Sequence, residues 1–69
     1  MKAFGKHLRS LRLAKGLSQE QLAWKADIEL SQISRIERGI INTSLSQLLV
    51  IAAALEIPLK ELCDFEIDS

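Results

Sequence analysis

The sequence predicts an all-α protein, a compact bundle of five helices in a single domain over residues 1–69. Three observations carry this. Apolar residues recur at helical spacing and nowhere alternate as they would in a strand. The pattern Ser–x–x–Gln occurs twice, at Ser18 to Gln21 and at Ser44 to Gln47, each beside an apolar stretch. Gly16, Gly39 and Pro58 stand where helices stop or start.

The first helix is expected over about residues 4–15, with Phe4, Leu8 and Leu11 on one face and Gly16 as a left-handed cap. Ser18 opens the second. Gln21 completes a capping box, and Leu17 and Leu22 occupy the hydrophobic-staple positions. This helix runs to about Ala26, with Leu22, Ala23 and Ala26 facing inward. Asp27 and Ile28 form the turn. The third helix covers about residues 30–38 and ends at Gly39. Residues 40–43 form a loop. Ser44, with Gln47 as a second capping box, opens the fourth helix at about residues 45–55. Its inner stripe is expected to be Leu45, Leu48, Leu49, Ala52 and Leu55. Pro58 starts a short last helix, about residues 59–64, and an acidic tail follows, so that helix and tail together span 58–69.

Composition narrows the function. The chain has no net charge, which is unusual for a nucleic-acid binder. The charges are nonetheless segregated. Residues 1–26 hold six Lys and Arg against Glu20, whereas residues 27–69 hold Arg35, Arg38 and Lys60 against eight acids. Such a chain can turn a basic face to phosphates and an acidic face away, although an ordinary mixed surface has the same composition. The longest apolar run, Leu48 to Leu55, is too short to cross a membrane. No secretion signal is visible and Cys63 has no partner for an internal disulfide, so a cytoplasmic protein is expected. One His and one Cys do not make a zinc site. No acid/base pair or triad spacing is present, so neither an enzyme nor a cofactor or small-molecule ligand is expected.

A helical wheel divides the third helix. Ile33, Ile36 and Glu37 fall on one side; Ser31, Arg35 and Arg38 fall on the other, with Gln32 and Ser34 on the flanks. The outward face is polar and cationic, with short side chains beside a long one. Arg35 can donate two hydrogen bonds to guanine O6 and N7, and Gln32 can meet adenine or a phosphate. The plainer reading is a solvated helix face. Arg12 and Lys15 lie on the apolar side of the first helix, where a charge needs a partner. Glu37 is the natural one for Arg12, and this ion pair is expected to orient the motif without reading DNA itself.

These segments resemble a known family. Leu17-Ser18-Gln19, Leu22-Ala23, Ile33-Ser34-Arg35-Ile36-Glu37-Arg38-Gly39 and the spaced apolar positions from Ser44 to Leu55 are similar to the phage repressor/Cro-type (XRE-like) helix-turn-helix domain. The resemblance spans about residues 5–62 and places the motif at 18–38. It implies a bundle of the lambda-repressor-like type that places its third helix in the major groove of double-stranded DNA. It also implies roles. Gln19, with Ser18 beside it, sits where the family binds phosphate, a position that a helix N-terminus favours independently. Glu29, Leu30, Ser31 and Arg35 occupy positions that face bases or the adjoining backbone, and Gln32 lies near the backbone. Arg38, Asn42 and Thr43 are the remaining phosphate candidates. Arg12 and Glu37 match a buried ion pair of several members.

The chain also departs from the pattern. Asp27 stands where the turn usually has glycine, at some conformational cost. Glu29 brings an acid to the start of the reading helix, either to accept from a cytosine amino group or, as favoured here, to cap that helix. Leu30 can touch a thymine methyl or simply pack. Trp24 is expected to be partly buried, and Cys63 to be a small buried hydrophobe.

The family generally binds palindromes as symmetric dimers, with motifs one helical turn of DNA apart. Leu59, Leu62, Phe65 and Ile67, joined by Val50 and Ala54, are the expected dimer surface; the alternative is that they close the monomer's own core. The expected function is a homodimeric, sequence-specific transcriptional regulator, a repressor by occlusion. Two other readings remain: the antitoxin of a toxin–antitoxin pair, and a protein-interaction module that has lost DNA binding.

Overall fold

A computed structural model describes residues 2–41 and 43–64. Five helices follow one another: α1 (Lys2–Ala14), α2 (Gln19–Ala26), α3 (Leu30–Glu37), α4 (Leu45–Leu55) and α5 (Leu59–Leu62). The boundaries agree with expectation to within two residues at each end. α2 packs against α3 and α4, α1 against α3 and α5, and α5 closes the bundle against α4. The core gathers Phe4 and Leu8 of α1, Leu22 and Ala23 of α2, Ile33 and Ile36 of α3, Ile51, Ala52 and Leu55 of α4, and Leu62 of α5. No helix among the described residues is long and apolar enough to cross a membrane.

The first four helices end alike. Each is followed by a residue at positive φ: Gly16 at 71°, Asp27 at 55°, Gly39 at 75° and Glu56 at 58°. The next amide reaches back over the left-handed residue: Leu17 N–H to Arg12 O, Ile28 to Ala23, Ile40 to Arg35 and Ile57 to Ala52, all at 3.0–3.1 Å. These are the long hydrogen bonds of Schellman caps, and each cap satisfies carbonyls that the helix end would otherwise orphan. Asp27 thus adopts the left-handed conformation its position demanded. It and Glu56 do so at a cost that a glycine would not incur, since a Cβ in this region is crowded.

The helix starts differ from one another. At α2 the capping box is complete, with Ser18 Oγ accepting from Gln21 N–H and Gln21 Oε1 accepting from Ser18 N–H. Leu17 and Leu22 both pack into the core beside it. At α4 Ser44 Oγ accepts from Gln47 N–H, but the reciprocal bond to Ser44 is replaced by another partner for Gln47.

The expected face of α4 needs correction. Ile51, Ala52 and Leu55 are buried and Leu48 packs beside them, whereas Leu45 is 64% exposed and Leu49 51% exposed. The helix is apolar around almost its whole circumference, so periodicity alone could not orient it. Leu62 also turns out differently. It is fully buried in the core, because α5 folds back under α1 and α4, and it therefore offers no surface to a second copy. Leu59 and Ala54 are partly buried against the same core, Val50 remains 42% exposed, and Phe65 and Ile67 lie outside the described residues. Cys63 is exposed rather than buried, since the short α5 ends before it and turns it to solvent.

Candidate nucleic-acid interface

The outward face of α3 can be presented to a ligand only if its inward face is held firmly. The hold is built around Glu37, at the C-terminal end of α3. Arg12 donates from Nε to Glu37 Oε2 at 2.6 Å and from a terminal nitrogen to Oε1 at 3.0 Å, a bidentate pair with both side chains under a tenth exposed. A third donor of Arg12 reaches Leu17 O at 2.8 Å, and Gln19 Nε2 donates to Glu37 Oε1 at 3.0 Å. One carboxylate therefore ties α1, the start of α2 and α3 together. The bond from Glu37 raises the Arg12 pKa above its usual value against the opposing effect of burial, and the charge of Glu37 adds to it. A cation with a raised folded pKa contributes stability that is lost only as pH rises through that pKa. For Arg12 that lies far into alkali, so the lock is constant across physiological pH.

A second contact allows the helices to approach this closely. A Cβ on Gly5 would lie 2.5 Å from Glu37 O and 2.6 Å from Ile36 O. α1 therefore passes over the last turn of α3 backbone to backbone, and only glycine fits at the crossing. Sequence reasoning did not single out Gly5. A glycine inside an otherwise good helical stretch was the available signal.

With its inner face fixed, α3 exposes Ser31, Arg35 and Arg38. Neither Ser31 nor Arg35 makes a side-chain hydrogen bond or ion pair within the described residues. Arg38, at the C-terminal cap of α3, donates from Nε to Ser34 O at 3.4 Å. Leu30 is 46% exposed at the first turn, so it is available for contact and is not a core residue. Gln32 is partly buried and its amide is engaged by α4.

Other expected roles shift. Glu29 occupies the N-cap position of α3, but its side chain makes no capping hydrogen bond, because a glutamate is one methylene too long to fold back as Asp or Ser does. Its charge still lies at the positive end of that helix. Ser18 accepts from its own helix, so towards an anion it has only its hydroxyl proton to give. Gln19 gives one of its two amide hydrogens to Glu37, which leaves the other, with the backbone N–H groups of the first turn of α2, to face an anion there. Thr43 Oγ1 is buried without a hydrogen-bond partner and is not displayed for phosphate. Asn42 lies outside the described residues. Trp24 is 85% exposed, not partly buried, since it projects from the side of α2 opposite Leu22 and Ala26.

A helix of this polarity, displayed by a two-helix motif with a four-contact anchor behind it, defines a DNA-binding helix-turn-helix regulator. The chain belongs to the helix-turn-helix family, whose model matches residues 8–62. It is 44% identical over 63 residues to the control protein C.BamHI of Bacillus amyloliquefaciens, covering 90% of this chain and 78% of that protein. It is 42% identical over 53 residues to the immunity repressor of Bacillus phage phi105, covering 77% of this chain but only 37% of that protein. Among solved structures, the restriction–modification controller C.AhdI of Aeromonas hydrophila superposes with a TM-score of 0.86 at 48% identity, covering 88% of this chain and 92% of that one. These relatives are regulators, and the protein is not an enzyme.

Proposed function

We propose that this protein is a cytoplasmic, sequence-specific regulator of transcription that binds a palindromic operator as a homodimer. The observation that carries the reading is α3: Ser31 and Arg35 stand free on its outer face while Ile33, Ile36 and Glu37 lock its inner face. Arg35 reads guanine through O6 and N7, Ser31 and Leu30 approach neighbouring bases, and Arg38 and the first turn of α2 grip phosphates. α4 supports the dimer. Leu45, Leu49 and Val50 are exposed on a helix whose opposite face already fills the core, and a helix apolar on all sides needs cover. The similarity to C.AhdI and C.BamHI supports a controller of restriction–modification genes as its role.

The test is selection of bound DNA from a random-sequence pool at physiological salt, with Arg35→Ala beside the wild type. An enriched palindrome with half-sites about one helical turn apart is expected, with Arg35→Ala weakening specific binding by ~1–3 kcal/mol while remaining folded. A folded wild type that enriches no sequence refutes DNA reading and points to a protein partner.

A further inference from the structure

The first helix is cationic along its whole length. Residues 2–15 hold Lys2, Lys6, Arg9, Arg12 and Lys15 and no Asp or Glu. The Arg12 side chain is turned inward to Glu37. Lys6, Arg9 and Lys15 are exposed, and none of the three makes a side-chain hydrogen bond or ion pair among the described residues. This arrangement works against the helix itself. A helix dipole favours acids in the first turn, where α1 has a lysine and no acid. Lys6 and Arg9, three residues apart, repel each other across one turn, with no acid on the helix to offset them. A local rule broken without an internal gain points to a use outside the fold.

The packing decides which way the charge faces. At 100° per residue, Arg9 falls about 40° from Gly5 around α1, and His7 about 160° from it. Gly5 crosses α3 at Ile36 and Glu37, whereas His7 Nε2 donates to Glu61 O on α5 at 2.8 Å. Arg9 therefore lies on the α3 flank of α1, with Lys6 beside it on the outer surface. Arg38, exposed at the end of α3, directly follows Glu37, so the crossing brings the two cationic patches together. We infer that Lys6 and Arg9 form a second phosphate-binding surface, continuous with Arg38, that holds the backbone of duplex DNA beyond the stretch α3 reads. The inference rests on the DNA-binding reading above but not on base selection. Contacts of this kind need no exact geometry. Each cation that displaces a condensed counterion adds affinity that falls with salt and is blind to sequence. α3 and its cap bring only Arg35 and Arg38 to that end, and α1 supplies what they lack.

The experiment uses the full chain as wild type, Lys6→Gln, Arg9→Gln, the double variant and Lys60→Gln, each checked by thermal unfolding. Lys60 is an exposed cation on α5 and controls for net charge. Binding to a random-sequence duplex of ~40 bp, and to the selected operator, is followed across salt concentrations. Each single variant on α1 is expected to lower the slope of log K against log salt by about one per chain bound, and the double variant by about two, with base preferences unchanged. Between 50 and 200 mM salt the double variant should then lose roughly tenfold less affinity than the wild type. Lys60→Gln should leave the slope as it is. A wild-type slope in the double variant overturns the inference and leaves DNA reading standing. So does an equal fall in Lys60→Gln, because net charge then accounts for it. So does a changed base preference, because α1 then acts by moving α3. A wild type that selects no operator, yet binds the random duplex with a slope that falls in the double variant, refutes base reading and supports the surface. A wild type that binds no duplex overturns both.

Discussion

The starts of α2 and α4 use one local signal for two purposes. At α2 the bonds stay local or turn inward: the capping box closes, Leu17 and Leu22 pack on the core, Arg12 grips Leu17 O, and Gln19 reaches Glu37. At α4 the groups turn outward or across. Thr43 occupies the place where Leu17 stands at α2, Leu45 is exposed, and Gln47 bonds to α3. A capping motif therefore predicts where a helix begins but not what its third residue holds. That is decided by whichever acceptor the tertiary structure brings within reach. The first start is a structural joint, and the second connects the proposed dimer helix to the proposed reading helix.

The largest expected effect comes from cutting the joint. Glu37→Ala leaves Arg12 buried without its counter-charge and releases Gln19, and should cost ~3–5 kcal/mol in denaturant unfolding. A loss below ~1 kcal/mol would mean that the anchor contributes no more than a surface pair. Gly5→Ala attacks the same joint by steric means. Its Cβ would meet two backbone carbonyls that cannot rotate aside, and a destabilisation of ~1–3 kcal/mol is expected, with amide shifts concentrated near residues 36–37. Unchanged stability would show that α1 can lift off α3 without penalty. The smallest effect sharpens the contrast itself. Ser18→Ala should cost ~1–2 kcal/mol and Ser44→Ala about half as much, because only the first serine belongs to a reciprocal box. Equal melting temperatures in the two variants would remove the distinction.

Much of the molecule was legible in its residues. The helix limits followed from glycines, serines and spacing, and the Arg12–Glu37 pair followed from two charges on apolar faces. The left-handed Asp27 followed from the resemblance, which puts it where the family's turn usually has glycine. The orientation of α4 was not legible, because a helix apolar around its circumference offers no contrast between inside and outside. The partners of Gln19 and Gln47 were not legible either. Both are long-range choices, across 18 and 15 residues, that no local pattern encodes. The exposed Trp24 ran against the usual fate of a large aromatic. The fate of Leu62 turned on how a four-residue helix folds back against α1 and α4.

The separation of Gly5, Arg12 and Glu37 from Ser31 and Arg35 has an evolutionary consequence. The first three are constrained by backbone contact and buried charge, so replacements there are penalised by loss of stability. Ser31 and Arg35 touch nothing whose loss would unfold the chain, and exposed substitutions of that kind usually change stability by less than about half a kcal/mol. Lineages can therefore drift through new combinations at these positions while retaining a viable protein. On the proposed reading of α3, copies of such a gene within one cell can acquire separate targets by a few changes on one helix, without re-engineering the body that carries it.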